Sequence, residues 1–231
     1  MNMDRLRYFD FFTIMLPGLI FVGFMCYLWL GDDFFTKDGP FLRLATLLLP
    51  AYLFFGNLFS ILGKALEGWI DQLTNKSTVK HPLVNIIPEN YGFVEAQIYE
   101  LFPSVKLKDG SKDEKYYDAI FEKCRVLVYQ QTYGDRPQSI ATLATLYRNL
   151  MGVFICTLII IISLKFVGNL SHTYLNESQY FIITIVVLVL LVYYSRIISQ
   201  KLYFYWFHDV LKNTEVYFQT LKNFKKDGKK N

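Results

Sequence analysis

The residue types that ordinarily do chemistry are scattered through this 231-residue chain. A metal site needs ligands that converge at bonding distance. The three histidines, His81, His172 and His208, are far apart, and the orientation derived below puts His172 across a membrane from the other two, so no metal site is expected. Cys26, Cys124 and Cys156 have neither zinc nor redox spacing and leave an odd count, so disulfides are not expected to organise the fold. No HExxH, Walker phosphate loop, GxSxG elbow or dinucleotide glycine pattern is present, and no catalytic residue or cofactor is assigned. Glu89, Glu95, Glu100, Glu114, Asp118 and Glu122 are read as solvated surface charge. Glu114, Asp118 and Glu122 share a helical face at four-residue spacing, but proximity of like charges selects no proton donor and acceptor.

Polar groups inside or just beyond apolar runs are the remaining candidates. Asn57, Thr157, Ser163 and Thr184 are candidate helix-contact or passage-lining groups. Each hydroxyl can instead bond within its own helix, and the Asn57 amide would seek a partner, for instance on another helix. Arg43, Arg148, Lys165, Arg196 and Lys201 are candidate interface or lipid-phosphate anchors. Arg43 and Lys165 lie close enough to segment ends to extend their charges to the interface while their stems stay apolar. Arg148, in Tyr147-Arg148-Asn149, can anchor the interface, bind a lipid phosphate, or pair with Glu67 or Asp71, and the same logic applies to Arg196.

The elements that would position these groups are four apolar segments. Tyr180–Tyr194 (YFIITIVVLVLLVYY) carries no charge and is apolar all round as a helix, which suits lipid. Phe11–Leu30, Phe41–Leu62 and Leu150–Val167 are similar. A hydrophobic content of 53% barely exceeds that of a soluble domain; its concentration in four blocks decides the class. Pro17-Gly18 inside the first segment predicts a local bend or a close helix contact. A mixed-charge start and no small-residue cleavage pattern argue that this segment is retained and is not a signal peptide.

The expected fold is therefore an all-α membrane protein with four transmembrane helices, a helical cytoplasmic insertion between the second and third, and an amphipathic C-terminal helix. Its divisions are an N-terminal hairpin at 1–62, a cytoplasmic cap at 63–147, a second hairpin at 148–198, and an amphipathic helix with a basic tail at 199–231. In the cap, His81-Pro82 and Ile87-Pro88 are expected to break the helical pattern. Glu89–Leu101 is expected as a short helix, and Tyr116–Gln131 as an amphipathic one through Tyr117, Ile120, Phe121, Cys124, Leu127 and Val128. Orientation follows from the positive-inside rule: 21 of the 24 basic residues fall inside when both termini and Gly63–Arg148 are cytoplasmic. Arg196–Asn231 then carries a net +5 and attracts anionic headgroups, so the phospholipid bilayer is the first partner expected. Without an aromatic-basic binding module, nucleic acid is not expected.

The layout resembles that of small multi-pass bacterial inner-membrane proteins associated with antiphage defence loci. The resemblance rests on RLRYFDFFTIMLPGLIF at Arg5–Phe21, a second early membrane helix, a cytoplasmic middle, YRNLMG at Tyr147–Gly152 and an aromatic tail. It implies an inner-membrane sensor or effector that works as a homo-oligomer or with a cytosolic protein partner and alters membrane permeability in response to a cytoplasmic signal. A membrane scaffold that recruits a soluble enzyme through Glu89–Gln131 is the alternative, and a lipid-acting membrane enzyme is a third.

Overall fold

The computed structural model describes residues 3–30, 49–73, 82–102, 114–130, 135–168 and 174–227. They form α1 (Met3–Leu30), α2 (Leu49–Leu73), α3 (Pro82–Asn90), α4 (Gly92–Leu101), α5 (Glu114–Tyr129), α6 (Asp135–Val167) and α7 (Ser178–Asp227), with a 3₁₀ turn at Tyr174–Asn176. No strand occurs among the described residues. Four helices are long and apolar enough to cross a membrane, with spans at Phe12–Trp29, Leu49–Ile70, Arg136–Val167 and Ser178–Asn223. The last two exceed the roughly 20 helical residues that a bilayer core accommodates. Residues 41–48, including Arg43, lie outside the described residues.

The contacts divide the chain into two units. The apolar unit holds the described residues within Met3–Leu73 and Thr142–Gln200. One core cluster joins Phe21, Val22, Tyr52, Phe59 and Val153, and another joins Ile161, Leu175 and Leu188. Glycines set how closely these helices approach. A Cβ on Gly18 of α1 would lie 1.9 Å from the Tyr52 carbonyl oxygen of α2, and one on Gly56 of α2 would lie 1.9 Å from the Ile14 oxygen of α1. Each helix thus rests its backbone on the other's glycine, the close contact that Pro17-Gly18 predicts.

Pro17 sits inside α1 and cannot donate a backbone hydrogen bond to the carbonyl four residues earlier. That carbonyl belongs to Thr13, and it accepts a 3.0 Å bond from Nδ2 of Asn149 on α6. A neighbouring helix thereby supplies the donor that proline removed, as an apolar setting requires. Asn149 is fully buried.

The amphipathic unit holds the described residues within 74–141 and 201–227. Its core gathers Ile87, Val94, Ile98, Ile120, Cys124, Val210 and Leu211, all fully buried, around the edge-on rings of Phe121 with Trp206 at 5.1 Å and Phe207 at 5.0 Å. In α5 the expected residues Tyr117, Ile120, Phe121, Cys124 and Val128 are buried, and Leu127 is half-buried. Burial pushes the Cys124 thiol up to about 12, which keeps it neutral and inert.

Three expectations change. Pro88 does not break the pattern: α3 runs to Asn90, because a proline so near the helix end removes only one bond while Leu83, Ile86 and Ile87 pin the helix to the core. Glu95 is not solvated. It lies one residue from Val94 and three from Ile98, on the same inward face, is 7% exposed, and accepts a 3.0 Å hydrogen bond from the Tyr116 hydroxyl. Burial, then this carboxylate, hold the Tyr116 phenol well above its usual 10.0. Finally, the C-terminal amphipathic segment is not a separate helix. Ser195–Gln200 contains no glycine or proline to stop the apolar helix, and α7 continues through 50 residues to Asp227.

Candidate functional site

The amphipathic unit contains a cleft of about 470 Å³ lined by Tyr91, Arg136, Ile140, Leu202, Tyr205, His208, Asp209 and Lys212. Three local structures build it. Tyr91 is the single non-helical residue between α3 and α4, and backbone bonds from Tyr91 to Ile87 (2.9 Å) and from Glu95 to Tyr91 (3.1 Å) hold it in place. Arg136 and Ile140 stand four apart in the first turns of α6. Leu202, Tyr205, His208, Asp209 and Lys212 recur at three- and four-residue intervals and so share one face of α7.

The Tyr91 hydroxyl lies 3.2 Å from Nδ1 of His208, while the Phe204 ring meets the imidazole edge-on at 4.6 Å. Burial first, then the carboxylates of Glu215 and Asp209, raise the Tyr91 phenol above its usual range and keep its proton in place. Nε of Arg136 approaches Oδ2 of Asp209 at 3.5 Å. This is an ion pair by distance, but Oδ2 is buried and accepts no hydrogen bond among the described residues. The Arg136 side chain is 81% exposed and that of Asp209 only 16%, so the partners have unequal access to water. Such a loose pair contributes about 0–1 kcal/mol. The cleft therefore offers cations, one shielded carboxylate and two phenol rings, a set suited to binding a polar molecule.

The passage-lining candidates fall in the apolar unit. Asn57 donates 2.9 Å to the Leu53 oxygen and Ser163 donates 2.8 Å to the Ile159 oxygen, each within its own helix on an exposed face. Thr157 is buried and Thr184 half-buried. Among the anchors, Lys165 donates 2.6 Å to the Asn176 oxygen and stands 5.3 Å over the Phe181 ring, tying the end of α6 to the approach of α7. Arg148 and Arg196 are half-buried, with their Nε atoms buried, and Lys201 is exposed. His81 and His172 lie outside the described residues. No group of three or more His, Cys, Asp or Glu side chains able to hold a metal ion occurs among the described residues.

Sequence reasoning missed the cleft because its parts are remote: Tyr91 and His208 are 117 positions apart. The helical spacing of Leu202, Tyr205, His208, Asp209 and Lys212 was legible, but it did not reveal what that face meets. It also missed Asn149 as the partner of Thr13, although Pro17 announced a carbonyl in need of a donor. No family model, curated protein or solved structure matches the chain.

Proposed function

We propose that this protein is an inner-membrane sensor or effector that works as a homo-oligomer and alters membrane permeability when its amphipathic unit receives a cytoplasmic signal. The observation that carries the reading is the continuity of α7, which bears both the cleft residues Leu202–Lys212 and the exposed apolar row through Ile182, Val186, Val189, Leu190 and Tyr193. A change at the cleft therefore acts on the helix that faces lipid or a second copy. The positive-inside count supports a cytoplasmic location for the cleft and both termini. Four helices make a narrow bundle, so a passage needs several subunits. The resemblance to membrane proteins of antiphage defence loci gives this reading its bacterial setting. Ion flux should occur through a defined oligomer reconstituted in vesicles, with its level changed by Arg136→Ala. Vesicles that stay impermeable with the parent chain and with Arg136→Ala alike would overturn the effector role.

The scaffold reading has its own support in Phe93, Tyr99, Leu101 and Val126, which expose apolar surface within Glu89–Gln131. Stoichiometric recovery of one soluble enzyme, lost on replacing these side chains with serine, would favour it.

A further inference from the structure

We propose that the cleft of the amphipathic unit binds a phosphate that carries a primary amine, the phosphate held by Arg136 and Lys212 and the ammonium by Asp209. This deepens the sensor reading and rests on it only for the consequence of binding, since the chemistry of recognition follows from the cleft itself.

Oδ2 of Asp209 is the most informative atom. It is buried and receives no hydrogen bond among the described residues, and its 3.5 Å approach to Arg136 Nε is too long to satisfy it. A shielded carboxylate oxygen calls for an N–H or O–H donor, and a ligand's donor reaches this one with a shift of the side chains around it, of which the exposed Arg136, 3.5 Å away, is one. Arg136 is exposed enough for its guanidinium to turn most of its donors toward a ligand, and a planar fork of donors suits phosphate. Lys212 lies one turn beyond His208 on the same face of α7 and adds a second cation. The rings of Tyr91 and Tyr205 give faces that attract an ammonium, and Ile140 and Leu202 give apolar wall for a short carbon linker.

The mixture of signs narrows the ligand class. A simple anion would meet the Asp209 carboxylate, and a simple cation would meet Arg136 and Lys212. A zwitterion satisfies both sets of groups. Because the opposed charges of the cleft stand 3.5 Å apart, the ligand's charges must be only a few bonds apart. The cleft's volume of about 470 Å³ lies within the range of small-molecule sites. Phosphoethanolamine is the simplest molecule with this chemistry, and the headgroup of an ethanolamine lipid carries it as well.

The test is calorimetric titration of phosphoethanolamine into the full chain held in phosphatidylcholine nanodiscs. Saturable binding is expected, with inorganic phosphate, ethanolamine and phosphocholine each weaker by about tenfold or more, phosphocholine because its ammonium has no N–H for Asp209. Asp209→Asn and Arg136→Ala should each weaken binding by a similar factor. Arg136 is exposed, so its variant keeps the test intact if Asp209→Asn fails to fold, which a melting curve reports. Repeating the titration in phosphatidylethanolamine nanodiscs separates the sources: weaker apparent affinity identifies the lipid headgroup as a competitor, and unchanged affinity identifies a soluble ligand. Phosphate binding as tightly as phosphoethanolamine, indifference to both substitutions, or no saturable binding overturns the proposal. Binding without flux would overturn the effector role alone.

Discussion

Replacing Asn149 with alanine should destabilise the apolar unit, and replacing Pro17 with alanine should remove most of that cost. The Thr13 carbonyl lacks its intrahelical donor because residue 17 is proline, and Asn149 Nδ2 provides the bond at 3.0 Å from a fully buried position. A buried carbonyl stripped of its donor costs about 1–3 kcal/mol. In the Pro17→Ala variant the backbone N–H returns and α1 can close its own bond to Thr13, leaving the small cavity term of Asn149→Ala and the gain from removing its buried Oδ1, which accepts no hydrogen bond among the described residues; both terms are common to the two backgrounds and cancel in the coupling. The coupling between the two sites should therefore be about 1–3 kcal/mol. Reversible unfolding in mixed micelles of the four proteins in this cycle measures it, each difference being taken within one micelle composition. Equal cost of Asn149→Ala in the parent chain and in the Pro17→Ala background would refute the reasoning, because the asparagine would then be held by packing and not by the proline's missing donor.

Two further outcomes follow from the same helix contacts and the buried tyrosine. Gly18→Ala should force α1 and α2 apart by roughly 1.5 Å to bring a 1.9 Å approach to ordinary contact, with a cost of about 1–3 kcal/mol, whereas Gly23→Ala, with nothing within 4 Å, should be neutral or gain up to about 1 kcal/mol; equal melting temperatures for the two variants would show that the glycine contact is not limiting. Tyr116 has its phenol pKa raised in the folded state, so the folded protein holds this proton more tightly than the unfolded chain; the stability it contributes is complete below about pH 10 and declines as pH rises beyond. Tyr116→Phe should therefore lower the unfolding midpoint at pH 7 by removing the Glu95 hydrogen bond, yet show a shallower loss between pH 9 and pH 11 than the parent chain, and identical alkaline slopes would assign that loss to other groups.

How much of this was legible depends on what each residue's neighbours had to be. Four apolar runs could be read because the solvent they require is a property of the run itself: Tyr180–Tyr194 has no polar face, and α7 leaves Ile182, Val186, Leu190 and Tyr193 exposed among the described residues. The buried face of α5 could be read for a related reason, since its three- and four-residue spacing fixes which side chains travel together. Glu95 could not, because charge is a good guide to exposure only until a buried hydroxyl such as that of Tyr116 meets it. The continuity of α7 was obscured by a change in solvent preference near Ser195, a change of surroundings that imposes no break in the backbone.

The contrast between Pro17 and Asp209 shows where inference from sequence stops. A proline inside an apolar helix states locally that one carbonyl has lost its donor, so a partner must be sought; only the fold says that Asn149 is the partner. Asp209 makes no such local statement, because an aspartate on an amphipathic helix is ordinarily satisfied by water. Its shielding arises in a cleft shared with Tyr91 and Arg136, from distant parts of the chain. The need of Thr13 is met within the protein, and its consequence is stability. The need of Asp209 Oδ2 is unmet among the described residues, and its consequence is a place for a ligand donor. Measuring the Pro17–Asn149 coupling and titrating phosphoethanolamine thus test the same physical premise, that a buried polar atom requires a partner, in its structural and its binding forms.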